Sequence, residues 1–259
     1  MKILVFDIGG TSIKYGVCID DQLQDVKETP TNASLGGRHI VETLISLIKE
    51  QSDYDAIGIS TAGQVNSKEG FIIYANQNIP NYTGTQIKKE LEELFHVPVT
   101  VENDVNAAAM GEAIYGAGKD YKQFLMLTYG TGVGGATVTD KEVYYGSSYS
   151  ASEFGAIITH SDVRLTGNDY FDGCYEKYAS TTGLVKMAME YNPELNNGRK
   201  IFENLDDPKV NEILDRWVDE IMLGLATLTH IYNPPCIILG GGIMVQPLIM
   251  KKIEEKKSR

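Results

Sequence analysis

Paired cysteines are missing from this sequence. Its three thiols, Cys18, Cys174 and Cys236, are scattered and odd in number, with no CxxC pair, so they give neither a disulfide framework nor a zinc-ligand spacing. Cys18 and Cys236 lie in or beside strand-like runs and read as small core residues. Long apolar runs are missing too. None approaches the roughly 20 residues of a membrane span, and the opening MKILVFDIGG turns acidic and glycine-rich too soon for a signal peptide. Basic residues are in short supply. With 23 Lys and Arg against 35 Asp and Glu, a net charge of −12, the chain lacks the cationic density that nucleic-acid phosphates demand. These absences predict a cytoplasmic protein with no membrane and no nucleic-acid partner. A nucleotide is still allowed, because small glycine-rich loops can hold one without a basic surface.

What is present suffices for a sizeable core: 42% of the 259 residues are apolar, enough for one large domain or two lobes. Ile3 to Phe6 is a short apolar run ended by Asp7 and two glycines, and Ser12 to Ile19 resumes as a second strand, making Gly9-Gly10 a tight turn. Val41, Leu44, Ile45 and Ile48 recur at helical spacing, as do Ile87, Leu91, Leu94 and Phe95. Ala56 to Ile59 reads as a strand, and so does Pro98 to Val101, which stops at Glu102-Asn103-Asp104. Phe124 to Leu127 opens a second series, with Tyr129-Gly130-Thr131-Gly132-Val133-Gly134-Gly135 as its turn and Ala136 to Thr139 as the returning strand. A long helix with Leu214, Trp217, Val218, Ile221, Leu225 and Leu228 on one face ends at Asn233-Pro234-Pro235, and Cys236 to Leu239 runs into Gly240-Gly241-Gly242. Strand, Gly/Thr-rich turn and strand thus occur twice, at 3–19 and 124–139. A duplicated plan predicts two related lobes, residues 1–116 and 117–259.

The turns carry the chemistry. Glycines let a backbone approach a ligand closely, and their N–H groups can point at phosphate oxygens. In Asp7-Ile8-Gly9-Gly10-Thr11, Thr11 adds a hydroxyl and Asp7 could orient water around Mg²⁺; the same residues also serve a plain hairpin. Gly130-x-Gly132-x-x-Gly135 formally matches the dinucleotide fingerprint GxGxxG, but that fingerprint needs a helix next, and Ala136-Thr137-Val138-Thr139 reads as a strand. Asn103 and Asp104 precede the small-residue helix Asn106-Ala107-Ala108-Ala109. Either can be a helix N-cap, or Asp104 can be a general base held at a strand end.

The segments DIGGTSIKYGV at 7–17, VENDVNAAAMGEA at 101–113, TYGTGVGGA at 128–136 and ILGGGI at 238–243 together resemble the ROK family of bacterial sugar kinases. The resemblance runs the length of the chain. It implies an α/β fold of the two-lobed actin-like ATPase (ribonuclease H-like) type, with a duplicated mixed β-sheet core flanked by helices. It implies ATP and Mg²⁺ as cofactors and a hexose phosphorylated at its 6-hydroxyl, with Asp104 as the base. Gly9, Gly10, Thr11, Lys14, Thr131, Gly132, Gly134, Gly241 and Gly242 would hold ATP, and Asp7 would hold Mg²⁺ indirectly. Gly63, Asn78, Asn103, Asp104, Glu153 and Glu176 would hold the sugar. A homodimer is also compatible with it.

Departures from the family pattern sharpen these expectations. Ala62 stands where the family has proline before Gly63, Tyr82 where tryptophan is usual, and Ala156 where a histidine follows Glu153-Phe154-Gly155. That histidine completes the family's cysteine zinc site, whose first two cysteine positions here hold Gly167 and Asp169, leaving Gly173-Cys174-Tyr175-Glu176. One thiol cannot make a tetrahedral site, so no structural zinc is expected. The zinc-less pattern, with His230-Ile231-Tyr232-Asn233-Pro234, is similar to the β-glucoside kinase branch. The family usually continues to a closing helix, which a chain ending at Lys256-Lys257-Ser258-Arg259 is expected to lack. The rival reading is a non-catalytic sugar-binding regulator of the same family. It usually needs an added N-terminal DNA-binding domain, for which the strand starting at Lys2 leaves no room. A dehydrogenase is opposed by the strand after Gly135, and a glycosidase using Glu153 and Glu176 leaves three glycine loops unexplained.

Overall fold

The computed structural model describes residues 1–257; Ser258 and Arg259 lie outside the described residues. Two compact units share the chain. One comprises Met1–Ala108 with Tyr145–Ser150, and the other Ala109–Tyr144 with the chain from Ala151 onward.

The first unit is built on a 5-stranded sheet. Strands β1 (Lys2–Ile8), β2 (Ser12–Ile19) and β3 (Gln22–Pro30) form an antiparallel meander, and β4 (Ala56–Thr61) and β7 (Val99–Asn103) add in parallel beyond β1. A small hairpin, β5 (Gln64–Asn66) and β6 (Phe71–Tyr74), stands apart. Helices α1 (Gly37–Lys49) and α2 (Ile87–Phe95) form where apolar residues recur every three or four positions. Ile40, Val41, Leu44 and Ile48 of α1 pack with Ile87 and Leu91 of α2 against Leu4, Phe6, Ile57 and Ile59 of the sheet. Strand β3 carries no apolar alternation, because it is an edge strand with almost every residue exposed.

Register places a row of polar side chains across this sheet. Lys14 pairs with Asp7, Asp7 with Ser60, and Ser60 with Glu102. Paired residues share a face, so these four line up where β1, β4 and β7 end. The next positions, Ile13, Ile8 and Thr61, face the other way and are fully buried.

The second unit repeats the plan with one strand fewer. Its sheet runs β10 (Glu142–Val143), β9 (Val133–Thr139), β8 (Gln123–Tyr129), β11 (Ile237–Gly240), with β8 and β9 antiparallel and β11 parallel to β8. Helix α3 (Asp104–Ile114) leads into this unit. At its C-terminal end the Lys141 ammonium donates to the carbonyls of Ala113 (3.2 Å), Gly118 (2.9 Å) and Lys119, a favourable place for a cation. Lys141 reaches there from the turn at Asp140-Lys141, where both residues have positive φ.

Residues 161–203 form four short helices, α4 (Ser161–Thr166), α5 (Tyr175–Ala179), α6 (Thr181–Tyr191) and α7 (Gly198–Glu203). The long helix α8 (Pro208–Tyr232) starts with Pro208 in its first turn and the Asp207 carboxylate capping Lys209 N–H at 2.8 Å. Its buried face carries Ile213, Leu214, Trp217, Ile221 and Leu228, each contributing about 1.5–3 kcal/mol by leaving water. Trp217 donates its indole N–H to Ser180 O at 3.0 Å, and the Tyr175 hydroxyl donates to Ile221 O at 2.8 Å. Since that uses the Tyr175 proton, the 2.8 Å contact between the two phenols is a donation from Tyr129. Helix α9 (Pro247–Lys256) packs Ile249 and Ile253 into the same core, with Lys252 held by Asp215 at 2.7 Å. Of the three thiols, Cys174 is the buried one and the strand-associated Cys18 and Cys236 are half-exposed, which corrects the expectation that the latter two are core residues. All three are free. Among the described residues no helix is long and apolar enough to cross a membrane.

Candidate functional site

In the first unit, the chemistry gathers where β7 turns into α3. Asn103 accepts the N–H groups of Val105 (2.9 Å) and Asn106 (3.1 Å) on its Oδ1, while its carboxamide donates to Gly63 O (3.0 Å) and Asp104 Oδ1 (2.9 Å). Asn103 therefore caps the helix, and its four hydrogen-bonding positions are engaged within the protein. Gly63 joins it because its positive φ and the nearby Tyr74 carbonyl, 3.0 Å from where a Cβ would sit, exclude a side chain. Asp104 Oδ1 also accepts Val105 N–H at 2.9 Å.

The Asp104 carboxyl stays open to solvent. Desolvation by surrounding protein pushes its pKa up, backbone hydrogen bonds oppose this, and the Asp7 carboxylate adds to the rise. Asp7 is exposed, accepts the Ser60 hydroxyl at 3.0 Å and stands opposite exposed Lys14. Beside them the β1–β2 turn closes through Gly9 N–H to Ser12 O (3.0 Å), and Thr31 binds both Thr11 O (3.0 Å) and Gly9 O (2.7 Å). Nothing lies within 4 Å of the missing Cβ of Gly10. Asn78 sits on an exposed turn, its N–H donating to Asn76 Oδ1 at 3.0 Å.

In the second unit, the β8–β9 turn borders a cavity of about 690 Å³ lined by Gly130, Thr131, Thr181, Thr182, Arg199 and Gly242 among others, a size that suits a nucleotide-scale ligand. Its wall is held by Thr181 N–H to Gly130 O (2.9 Å) and the Thr182 hydroxyl to Thr131 O (2.8 Å). Gly241 has positive φ, and a Cβ there would lie 2.2 Å from Tyr129 O; only glycine fits. Gly134 lies within β9, opposite Thr128. Glu176, from α5, lies against the turn: its Oε2 would be 2.6 Å from a Cβ on Gly132, and it accepts Val133 N–H. Burial raises its pKa, with the Val133 bond and Lys177 opposing. Glu153 precedes the short helical turn Phe154–Ala156 and is exposed. Among the described residues no group of three or more His, Cys, Asp or Glu side chains could hold a metal ion.

The structure thus brings Gly63, Asn103, Asp104 and Asp7 to one end of the first sheet, and Thr131 and Gly242 to one cavity of the second unit, whose lining does not include Gly132, Gly134 or Gly241. The sequence reading did not find Ser60, Thr181, Thr182, Arg199 or the Tyr145 hydroxyl, which donates to Glu102 Oε2 at 2.7 Å. Their sequence distance from the motifs leaves no local signal.

Known proteins resemble this chain over nearly its whole length. A β-glucoside kinase of Listeria monocytogenes is 30% identical over 98% of this chain and 87% of its own length. The Lmo2764 protein structure from Listeria monocytogenes superposes with a TM-score of 0.91 at 29% identity, covering 100% of this chain and 89% of that one. A ROK family glucokinase from Streptomyces griseus, solved in complex with glucose and AMPPNP, gives a TM-score of 0.83 at 29% identity, over 98% of this chain and 88% of that one. The fold is the α/β actin-like ATPase fold that the family resemblance implies. Because the ROK family sequence model matches residues 3–259, the chain belongs to the ROK family.

Proposed function

We propose that this protein is an ATP-dependent carbohydrate kinase that transfers the γ-phosphoryl group of ATP to a hexose or hexose derivative at its 6-hydroxyl. The observation that carries the reading is Asp104: a solvent-open carboxylate, fixed by Asn103 and Val105 N–H, with its pKa raised by desolvation and by Asp7. A carboxylate whose pKa is raised is a better proton acceptor than an ordinary one. Phosphoryl transfer asks little more of the protein than in-line positioning, charge neutralisation and one such acceptor.

In this reading Asp104 takes the proton from the attacking hydroxyl. Gly9, Gly10 and Thr11, with Thr131, Gly132 and Gly134, offer backbone N–H and hydroxyl groups to the phosphates, with Lys14 as a cation. Gly242 faces the adenosine across the second unit's cavity, with Gly241 beside it in the chain. Residues 1–116 would form the sugar-side lobe and 117–259 the adenosine-side lobe. Gly63, Asn78, Glu153 and Glu176 are assigned to sugar hydroxyls, and so is Asn103, which would exchange one of its internal bonds to reach one. Mg²⁺ fits a single exposed carboxylate, because that ion keeps most of its water; Asp7 would hold it through those waters, and the ion would neutralise charge on the phosphates. The reading carries with it a cytoplasmic location and a homodimer. Its support lies in the kinases among the relatives, a glucokinase of Halalkalibacterium halodurans included, at 31% identity over 92% of this chain.

Asp104→Asn tests it. The variant is expected to bind sugar as the unaltered protein does and to lose about 10²–10⁴-fold in turnover, read by coupled ADP release over a panel of hexoses and β-glucosides. In the unaltered protein, kcat/KM should fall as pH drops through the raised Asp104 pKa, where the base becomes protonated. Undiminished turnover in Asp104→Asn would remove Asp104 from the mechanism, and sugar binding without any ADP release would favour a regulator.

A further inference from the structure

Glu102, the residue two positions before Asp104, has no role in the function proposed above, yet both of its carboxylate oxygens are engaged beside it. Its Oε1 accepts Asn103 N–H at 2.8 Å and the Asn106 carboxamide at 3.2 Å. Its Oε2 accepts the Tyr145 hydroxyl at 2.7 Å. Both carboxylate oxygens are thus fixed from outside the strand that carries them, at the point where β7 becomes α3.

Tyr145 comes from far along the sequence. It begins the segment Tyr145–Ser150, which belongs to the first unit although the chain on either side of it belongs to the second. The segment is fastened once more and packs once against itself. The Gln64 carboxamide donates to Ser148 O at 2.8 Å, and the Tyr145 and Tyr149 rings lie 5.6 Å apart. Gln64 adjoins Gly63, whose carbonyl accepts the Asn103 carboxamide. The contacts therefore close into a ring: Tyr145 to Glu102, Glu102 to Asn103, Asn103 to Gly63, and through Gln64 and Ser148 back to Tyr145. Asp104 hangs on that ring by its bond from Asn103 Nδ2.

The geometry points to Tyr145 as a positioning residue for Asp104, acting through Glu102 to hold the β7–α3 turn in the conformation that presents the carboxylate. The phenol suits this task because it stays protonated. Burial first, then its bond to Glu102, push its pKa up to about 12. A half-buried carboxylate deprived of this donor would seek another partner, and the N–H groups it holds on Oε1 would be released with it. Small displacements of a reacting group cost rate out of proportion to their size.

This inference rests on Asp104 being the catalytic base, so its test reads both rate and structure. Tyr145→Phe deletes only the hydroxyl. It is expected to lower kcat roughly 10-fold with the KM for ATP unchanged, and to speed amide hydrogen exchange at Asn103, Val105 and Asn106. Adding Glu102→Gln to Tyr145→Phe removes the stranded charge while keeping Oε1 as an acceptor, and should restore part of the lost kcat. A Tyr145→Phe enzyme with unaltered kcat, or one whose loss merely tracks its unfolded fraction, overturns the inference. So does unchanged exchange at those amides, even in a protein that phosphorylates no sugar. Failure of the unaltered protein on every sugar, with exchange responding as expected, instead rejects the kinase reading and leaves the clamp standing.

Discussion

The two glycine hairpins look alike in sequence and differ in what their glycines are for. At the β1–β2 turn, Gly10 has empty space where a Cβ would be, and Gly9 has only Ser12 O at 3.1 Å. Around the β8–β9 turn the space beside Gly130 is open too, but the others are occupied: by Glu176 Oε2 at 2.6 Å for Gly132, by Phe154 at 2.3 Å for Gly135, and by the Tyr129 backbone at 2.2 Å for Gly241. The second hairpin needs glycine so that the protein can pack against itself. In the first, packing makes no such demand on Gly10, whose missing Cβ faces open space. A Gly-rich motif therefore reads the same in sequence while recording two different surroundings.

Three substitutions separate them. Gly241→Ala should be the most damaging, because it adds a clash with backbone to a positive φ; a loss of roughly 2–4 kcal/mol is expected from strain and overpacking together, measured by urea denaturation. Gly132→Ala meets only the end of a flexible side chain. It should cost roughly 1 kcal/mol by displacing Glu176 from Val133 N–H, with the ATP KM raised as the turn loosens. Gly10→Ala should leave stability within about 0.5 kcal/mol and still raise the ATP KM. A Gly10→Ala protein that unfolds as readily as Gly241→Ala would erase the distinction, and one with unaltered ATP KM would show that no ligand approaches the first turn closely.

The same contrast explains what could be read beforehand. Both hairpins were legible because short apolar runs broken by glycines have few other solutions, and α8 was legible because Leu214, Trp217, Ile221, Leu225 and Leu228 keep one face. Strand β3 was not, since an exposed edge strand held by backbone pairing shows no alternation. Helices α4, α5 and α7, of five or six residues, are too short to print a stripe. Asp104 could be picked out because a carboxylate at a strand-to-helix junction is a small, recognisable pattern. Of the two residues that could cap α3, Asn103 does so, and Asp104 is exposed. Tyr145 could not be found this way: 43 positions separate it from Glu102, and tyrosine carries no local mark of its partner.

The relay from Tyr129 through Tyr175 to the Ile221 carbonyl has a consequence for alkaline solution. Both phenols are held far above their ordinary pKa, by burial first, so the folded protein retains protons that the unfolded chain releases. Stability must then fall with rising pH from the ordinary phenol range upward. Neither hydroxyl can ionise without leaving the core, so alkali should not titrate these two tyrosines and then unfold the second unit. Deprotonation and loss of structure there are one event, and the ultraviolet absorbance of the phenolates would serve as its gauge.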